Sequence, residues 1–213
     1  MNLVVFFDSV RASIFNGSLS HKQVQGCEIL LAAMAAREWG DLRWYAYVLA
    51  TTYHETDATM QPVAEYKRGK GKPYGKPDPE TGQTYYGRGY VQLTWRENYQ
   101  KMQDRLGLPL VTDPDLALKE GNAARIICEG MEHGLFTGVG LPRYFGISTN
   151  EPVNARKIVN GSDRASLVAH YHVHFLAALE AAHVPAEPPV DPVVAWWASA
   201  PPGAVEWLRR APV

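Results

Sequence analysis

Two glutamates ten residues apart, Glu55 and Glu65, are the first side chains in this sequence able to do chemistry as a pair. Glu55 closes an apolar stretch in which Trp44, Val48, Thr51 and Glu55 step along one helical face, with Tyr45, Leu49 and Thr52 on its flank. Burial and the negative end of the helix dipole both disfavour a charged carboxylate there. A carboxylic acid that keeps its proton is what protonation of a leaving-group oxygen requires. The structural alternative is a helix-terminal glutamate paired with an arginine. Glu65 follows Pro62 and precedes a run of cations, in a segment free to fold back across a cleft, and is expected charged. An acid and a base with a water between them can cut a glycosidic bond with inversion. Asp57, Asp78 and Glu80 stand close enough in sequence to take the base role instead.

The surroundings suit a sugar. Tyr53, Tyr66, Tyr74, Tyr85, Tyr86, Tyr90, Trp95 and Tyr99 crowd the same stretch as Gln92, Thr94 and Asn98. Pyranose faces stack on rings, and hydroxyl and acetamido groups take side-chain amides. At least half of these rings are expected in the core. Other chemistries fall away. His54-Glu55 lacks the second histidine of HExxH, since Ala58 occupies that position. His170, His172 and His174 share a helical stretch without a nearby carboxylate or cysteine and read as surface or core histidines, so no metal is expected. Gly87-Arg88-Gly89 fits neither GxGxxG nor GxxxxGK[ST], and no GxSxG elbow occurs, so no nucleotide cofactor and no serine nucleophile are expected. With 21 Lys+Arg against 22 Asp+Glu, no overall basic field exists to hold nucleic acid.

The elements that must position these residues are mostly helices. Met1 to Phe7 reads as the start of a packed helix and not as a signal peptide, since it has no basic leader and no cleavage site. Ser20-His21-Lys22-Gln23 has capping-box spacing before an amphipathic run that Gly40 stops, and Asp41 can cap the helix that ends at Glu55. From Asp57 to Thr84, Gly and Pro alternate with Lys67, Arg68, Lys70, Lys72 and Lys76, which predicts an exposed loop. Residues 84–95 mix β-favouring aromatics with glycine and predict a turn or short strand pressed against a neighbour. Helices are predicted over 97–105, 115–119, 123–133, 153–159 and 164–182. No apolar run is long enough to span a membrane. Cys27 and Cys128 form neither a disulfide framework nor a CxxC pair and read as free, partly buried thiols of a reducing compartment. Seven of the 15 prolines fall in the last 31 residues, among Trp196, Trp197 and Trp207. This predicts a Pro/Trp-rich tail, 184–213, packed on a catalytic domain of residues 1–183.

Three segments in order carry a resemblance to glycoside hydrolase family 19, the chitinase family. Tyr53-His54-Glu55-Thr56 resembles its "HET" segment. Residues Tyr85 to Trp95, with Asn98-Tyr99, resemble its "YYGRGxxQLTW…NY" signature, and Lys157-Ile158-Val159-Asn160-Gly161 is similar to its "INGG" segment. Tyr90-Val91, where plant chitinases have Pro-Ile, is closer to the bacteriophage endolysins of the family. The resemblance implies a mainly α, lysozyme-like (α+β) fold with a substrate cleft and a minor hairpin, cleaving β-1,4 bonds beside N-acetylated sugars with inversion and without a metal. It implies Glu55 as general acid, Glu65 as general base and Thr94 as holder of the attacking water. Gln92, Asn98 and Asn160 match substrate-contacting positions, and Tyr86 and Arg88, within the same signature, are expected to contact the substrate as well. Two departures stand out. Asp57 and Ala58 replace the glycines after "HET", so the turn there is expected to differ. The arginine and acidic residue that brace the acid in plant members have as nearest candidates Arg164 and Asp163.

The expectation is therefore a monomeric endolysin that hydrolyses peptidoglycan strands in host-cell lysis. It would be stored in the host cytoplasm without a signal peptide, be released through a phage holin and act in the periplasm. A chitinase, and a non-catalytic wall-binding protein on the same fold, are the alternatives.

Overall fold

The computed structural model describes residues 1–183. The tail, and the expected packing of its tryptophans, lie outside the described residues. Seven α-helices and one two-stranded ribbon run in the order α1 (Leu3–Ser13), α2 (His21–Ala35), α3 (Leu42–Glu55), β1 (Val63–Ala64), β2 (Arg88–Gly89), α4 (Arg96–Leu106), α5 (Glu120–His133), α6 (Leu141–Tyr144) and α7 (Ala165–His183). Single 3-10 turns at Pro73–Gly75, Pro114–Leu118 and Asn154–Ile158 complete the described chain. The mainly helical class and the minor hairpin are as the sequence predicts, although the stretches at 115–119 and 153–159 form 3-10 turns and not α-helices.

Local chemistry explains the helix starts. The side chain of Ser20 accepts from the Gln23 amide while the Gln23 side chain reaches back to the Ser20 amide, a closed capping box. At α1 and α3 the side chains of Asn2 and Asp41 accept from first-turn amides, without the return bond. Every residue of α3 from Tyr45 to Thr52 is buried, so this helix is enclosed all round and not amphipathic. It packs chiefly against α7, and the main core formed with α1, α2 and α5 holds Phe6, Leu30, Met34, Tyr47, Leu49 and Phe175.

A second, smaller core gathers Tyr85, Leu93, Tyr99, Met102, Leu110 and Ile126 around α4. Helix α5 is the wall between them, with Ile127 in one core and Ile126 in the other. The segment after β2 is divided likewise: Tyr90 and Val91 enter the main core and Leu93 the smaller one. Strands β1 and β2 pair antiparallel, Val63 against Gly89 and Ala64 against Arg88. The chain between them, 65–87, is the loop the sequence predicts. Both cysteines are free and fully buried, more deeply than expected, and burial pushes each thiol up to about 12. Among the described residues no helix is long and apolar enough to cross a membrane, and no group of three or more metal-ligating side chains occurs.

Candidate active site

Glu55 is the last residue of α3, and its carboxylate is about one-sixth exposed. Its surroundings are not the uncharged ones that the apolar helix suggested. The Nη1 of Arg156, a side chain only 2% exposed, donates to Glu55 Oε1 at 2.6 Å, and Arg156 Nε donates to the Asp163 carbonyl at 2.9 Å. The structural alternative is thus realised, and by Arg156 rather than by Arg164. Asp163 contributes a backbone oxygen and not its carboxylate. Burial holds the neighbouring His54 below the usual histidine range; the charge of Glu55 opposes this and that of Arg156 adds to it. Arg156 is therefore the charge that faces Glu55 at neutral pH.

The turn after Glu55 is built by the two residues that replace glycines. Asp57 and Ala58 sit at φ 49° and 62°, the left-handed region that glycine enters most readily. The glycine-type turn is kept without glycine. Strain is concentrated here, since six of the nine described non-glycine residues at positive φ lie between Asp57 and Trp95, Gln92 and Trp95 among them.

Glu65 leaves β1 and is tied to the facing strand. Its amide donates to the Gly87 carbonyl at 2.8 Å, and its Oε2 accepts from the Gly87 amide at 3.3 Å. Its Oε1 accepts from the Tyr74 hydroxyl at 3.2 Å. Gly87 has no room for a side chain, because a Cβ there would lie 2.6 Å from Gln92 Oε1. Gln92 in turn donates from Nε2 to the Val63 carbonyl at 3.0 Å. Thr94 Oγ1 donates to the Gln92 carbonyl at 2.6 Å, and Asn98 Nδ2 to the Thr94 carbonyl at 2.8 Å. Glu65, Gln92, Thr94 and Asn98 thus form one chain of contacts. A cavity of about 130 Å³ opens on Gln92, Thr94 and Asn98, and Phe136 and Val159 also line it. Val159 directly precedes the exposed Asn160, so the third predicted segment reaches the same cavity as the second.

Other predicted residues are positioned elsewhere. Arg88 is 3% exposed, and its donors go to Asp115, to the carbonyls of Thr84 and Tyr86 and to the Tyr99 hydroxyl, with its guanidinium 3.5 Å from the Tyr86 ring centroid. Arg88 and Tyr86 brace the hairpin from inside. Asp78 and Glu80 are both paired with Arg96, and Asp57 is exposed at the turn. Of the eight aromatics, Tyr85, Tyr86, Tyr90 and Tyr99 are buried, while Tyr66 and Trp95 are exposed. Arg156 is the residue that sequence reasoning missed. It stands immediately before the segment Lys157–Gly161, a signal that was available.

Residues 44–125 match the pattern of glycoside hydrolase family 19, chitinase class I. This stretch, which holds Glu55, Glu65, Gln92, Thr94 and Asn98, is similar to that family. An endochitinase of Arabidopsis thaliana is 34% identical over 127 residues, covering 56% of this chain and 43% of that protein. An inactive chitinase-like protein of Hevea brasiliensis is 51% identical over 35 residues, 16% of this chain and 11% of that one. The chain therefore spans less than half the length of these curated relatives. The crystal structure of a family 19, class IV chitinase from Zea mays covers 87% of this chain and 96% of its own, with a TM-score of 0.52 at 19% identity. The fold is the one that chitinase has.

Proposed function

We propose that this chain hydrolyses β-1,4 bonds of N-acetylated glycans with inversion, and that its substrate is the glycan strand of bacterial peptidoglycan. The observation that supports it best is the different setting of the two carboxylates. Glu55 has one oxygen on a buried guanidinium and the other without a hydrogen-bond partner among the described residues, whereas Glu65 is held by an amide and a phenol at the hairpin. When Glu55 gives its proton to the leaving oxygen, Arg156 stabilises the carboxylate that remains. The Thr94 hydroxyl spends its own proton on the Gln92 carbonyl, so its lone pairs are left to accept from a water. Glu65 takes that water's other proton as the oxygen attacks the anomeric carbon from the face opposite the leaving group. Asn98, which spends one amide hydrogen on the Thr94 carbonyl, keeps its Oδ1 and a second hydrogen for an acetamido group.

In this reading the protein is a monomeric endolysin, kept in the host cytoplasm until a phage holin lets it reach the periplasmic wall. A chitinase is the second reading, favoured by the Arabidopsis thaliana relative being an endochitinase. A non-catalytic wall-binding protein is the third, favoured by the match to an inactive chitinase-like protein. Incubation with purified Gram-negative sacculi and, separately, with chitin hexamers tests all three. Soluble muropeptide release with little hexamer turnover is expected. Hexamer cleavage alone would move the protein to the chitinases, and no product from either would leave only the binding reading.

A further inference from the structure

The 11 residues after Glu65 carry five cations, Lys67, Arg68, Lys70, Lys72 and Lys76, and no acidic residue, in a chain whose net charge is −1. All five are exposed, and among the described residues none is paired with a carboxylate. The loop is not loose. Amides of Arg68, Lys70, Lys72, Gly75 and Lys76 each donate three residues back, making a series of tight turns. The loop closes on itself where Gly69 meets Gly75, so tightly that a Cβ on Gly75 would lie 2.0 Å from the Gly69 carbonyl oxygen. Folded in this way, the backbone turns inward and the cations outward. Tyr66, 97% exposed, stands at the loop's start.

The loop is also anchored to the hairpin that carries the candidate base. Tyr74 donates its hydroxyl to Glu65 Oε1, meets the edge of the exposed Trp95 ring at 5.1 Å, and accepts from the Tyr85 amide through its carbonyl. A ligand held by the loop would therefore lie beside Glu65. Chitin is uncharged and offers five cations nothing. The stem peptides of peptidoglycan carry carboxylates at short intervals along the glycan strand, which is the charge such a patch can hold.

We propose that the loop Tyr66–Lys76 is a docking site for the carboxylates of peptidoglycan stem peptides, and that it selects charged wall glycan over neutral chitin. This rests on the reading of the site as a wall-glycan hydrolase, but its test does not depend on turnover. Co-sedimentation of the Glu55→Gln protein with intact sacculi is measured from 50 to 500 mM salt. Parallel arms use sacculi whose carboxyls have been blocked as methylamides, and vesicles of phosphatidylglycerol. The same series is run with Lys67→Gln, Lys70→Gln and Lys72→Gln combined, with circular dichroism reporting the fold. Binding to intact sacculi should weaken at least tenfold across the salt range, and the triple substitution or carboxyl blocking should each weaken it about tenfold at 50 mM. Equal binding by the substituted protein, or equal binding to blocked sacculi, would overturn the proposal. Binding to vesicles as tight as to sacculi would assign the loop to a lipid surface instead and overturn it equally. Failure of wild type to release muropeptides while the binding pattern holds would refute the hydrolase reading and leave the docking site standing.

Discussion

Glu55 and Arg156 are 101 residues apart in sequence and share one short hydrogen bond, so the setting of the candidate acid is made by the fold and not by its neighbours in the chain. Such a pair costs desolvation on both sides, and removing the carboxyl group would leave the buried Arg156 charge unanswered. Glu55→Gln is the mild substitution because the amide still offers Arg156 an acceptor oxygen. The turn next to it is the reverse case, in which two side chains occupy backbone conformations that penalise them. Ala58 is held at φ 62°, its amide donating to the Tyr53 carbonyl at 2.8 Å and its carbonyl accepting from Gln23 Nε2 at 2.9 Å. Both contacts are made by backbone atoms and survive loss of the methyl group. Ala58→Gly should therefore raise stability by up to about 1 kcal/mol, the left-handed penalty less the extra freedom of the unfolded chain. Urea unfolding measures this, and a lower midpoint would show that the turn is unstrained.

At the scale of elements, the packing of α3 against α7 sets a pH limit on the fold. His172 of α7 is 1% exposed and lies against the rings of Tyr47 and Phe145, its ring nitrogens buried beside the Arg43 backbone. Burial drives its pKa down to about 4, from an unfolded value near 6.5. Below that unfolded value the unfolded chain takes up a proton that the folded one refuses. Stability present above pH 6.5 is therefore lost as pH falls towards 4, by about 3 kcal/mol in full. Thermal melts at pH 7 and pH 4.5 should show this loss in wild type and a smaller one in His172→Phe; equal losses would contradict it.

Helices α2 and α3 show what the sequence could and could not tell. Capping residues Ser20 and Asp41 and the runs behind them are local signals, and α2 and α3 begin where those signals stand. Burial of α3 on all sides was not legible, because Ala46, Tyr47 and Ala50 lie off the face and flank that periodicity picks out. The chain of contacts through Glu65, Gln92, Thr94 and Asn98 was legible as a cluster in sequence, since those residues fall within one hairpin and the start of α4. Arg88 was misjudged because an arginine between two glycines gives no sign that its guanidinium stacks inward on Tyr86.

At the scale of the whole molecule, two cores of unequal size share α5, and the hairpin with its cavity lies where the segment 90–93 passes from one core to the other. Glu55 comes from the larger core, and Asn98 from α4 of the smaller one. The central claim is that Glu55 supplies the proton for glycan hydrolysis. The most direct measurement is the initial rate of muropeptide release from sacculi by wild type and Glu55→Gln at equal concentration, with circular dichroism and sacculus co-sedimentation on the same samples. A rate lower by at least about 100-fold, with fold and binding kept, is the predicted result. Turnover by Glu55→Gln within a few-fold of wild type would contradict it.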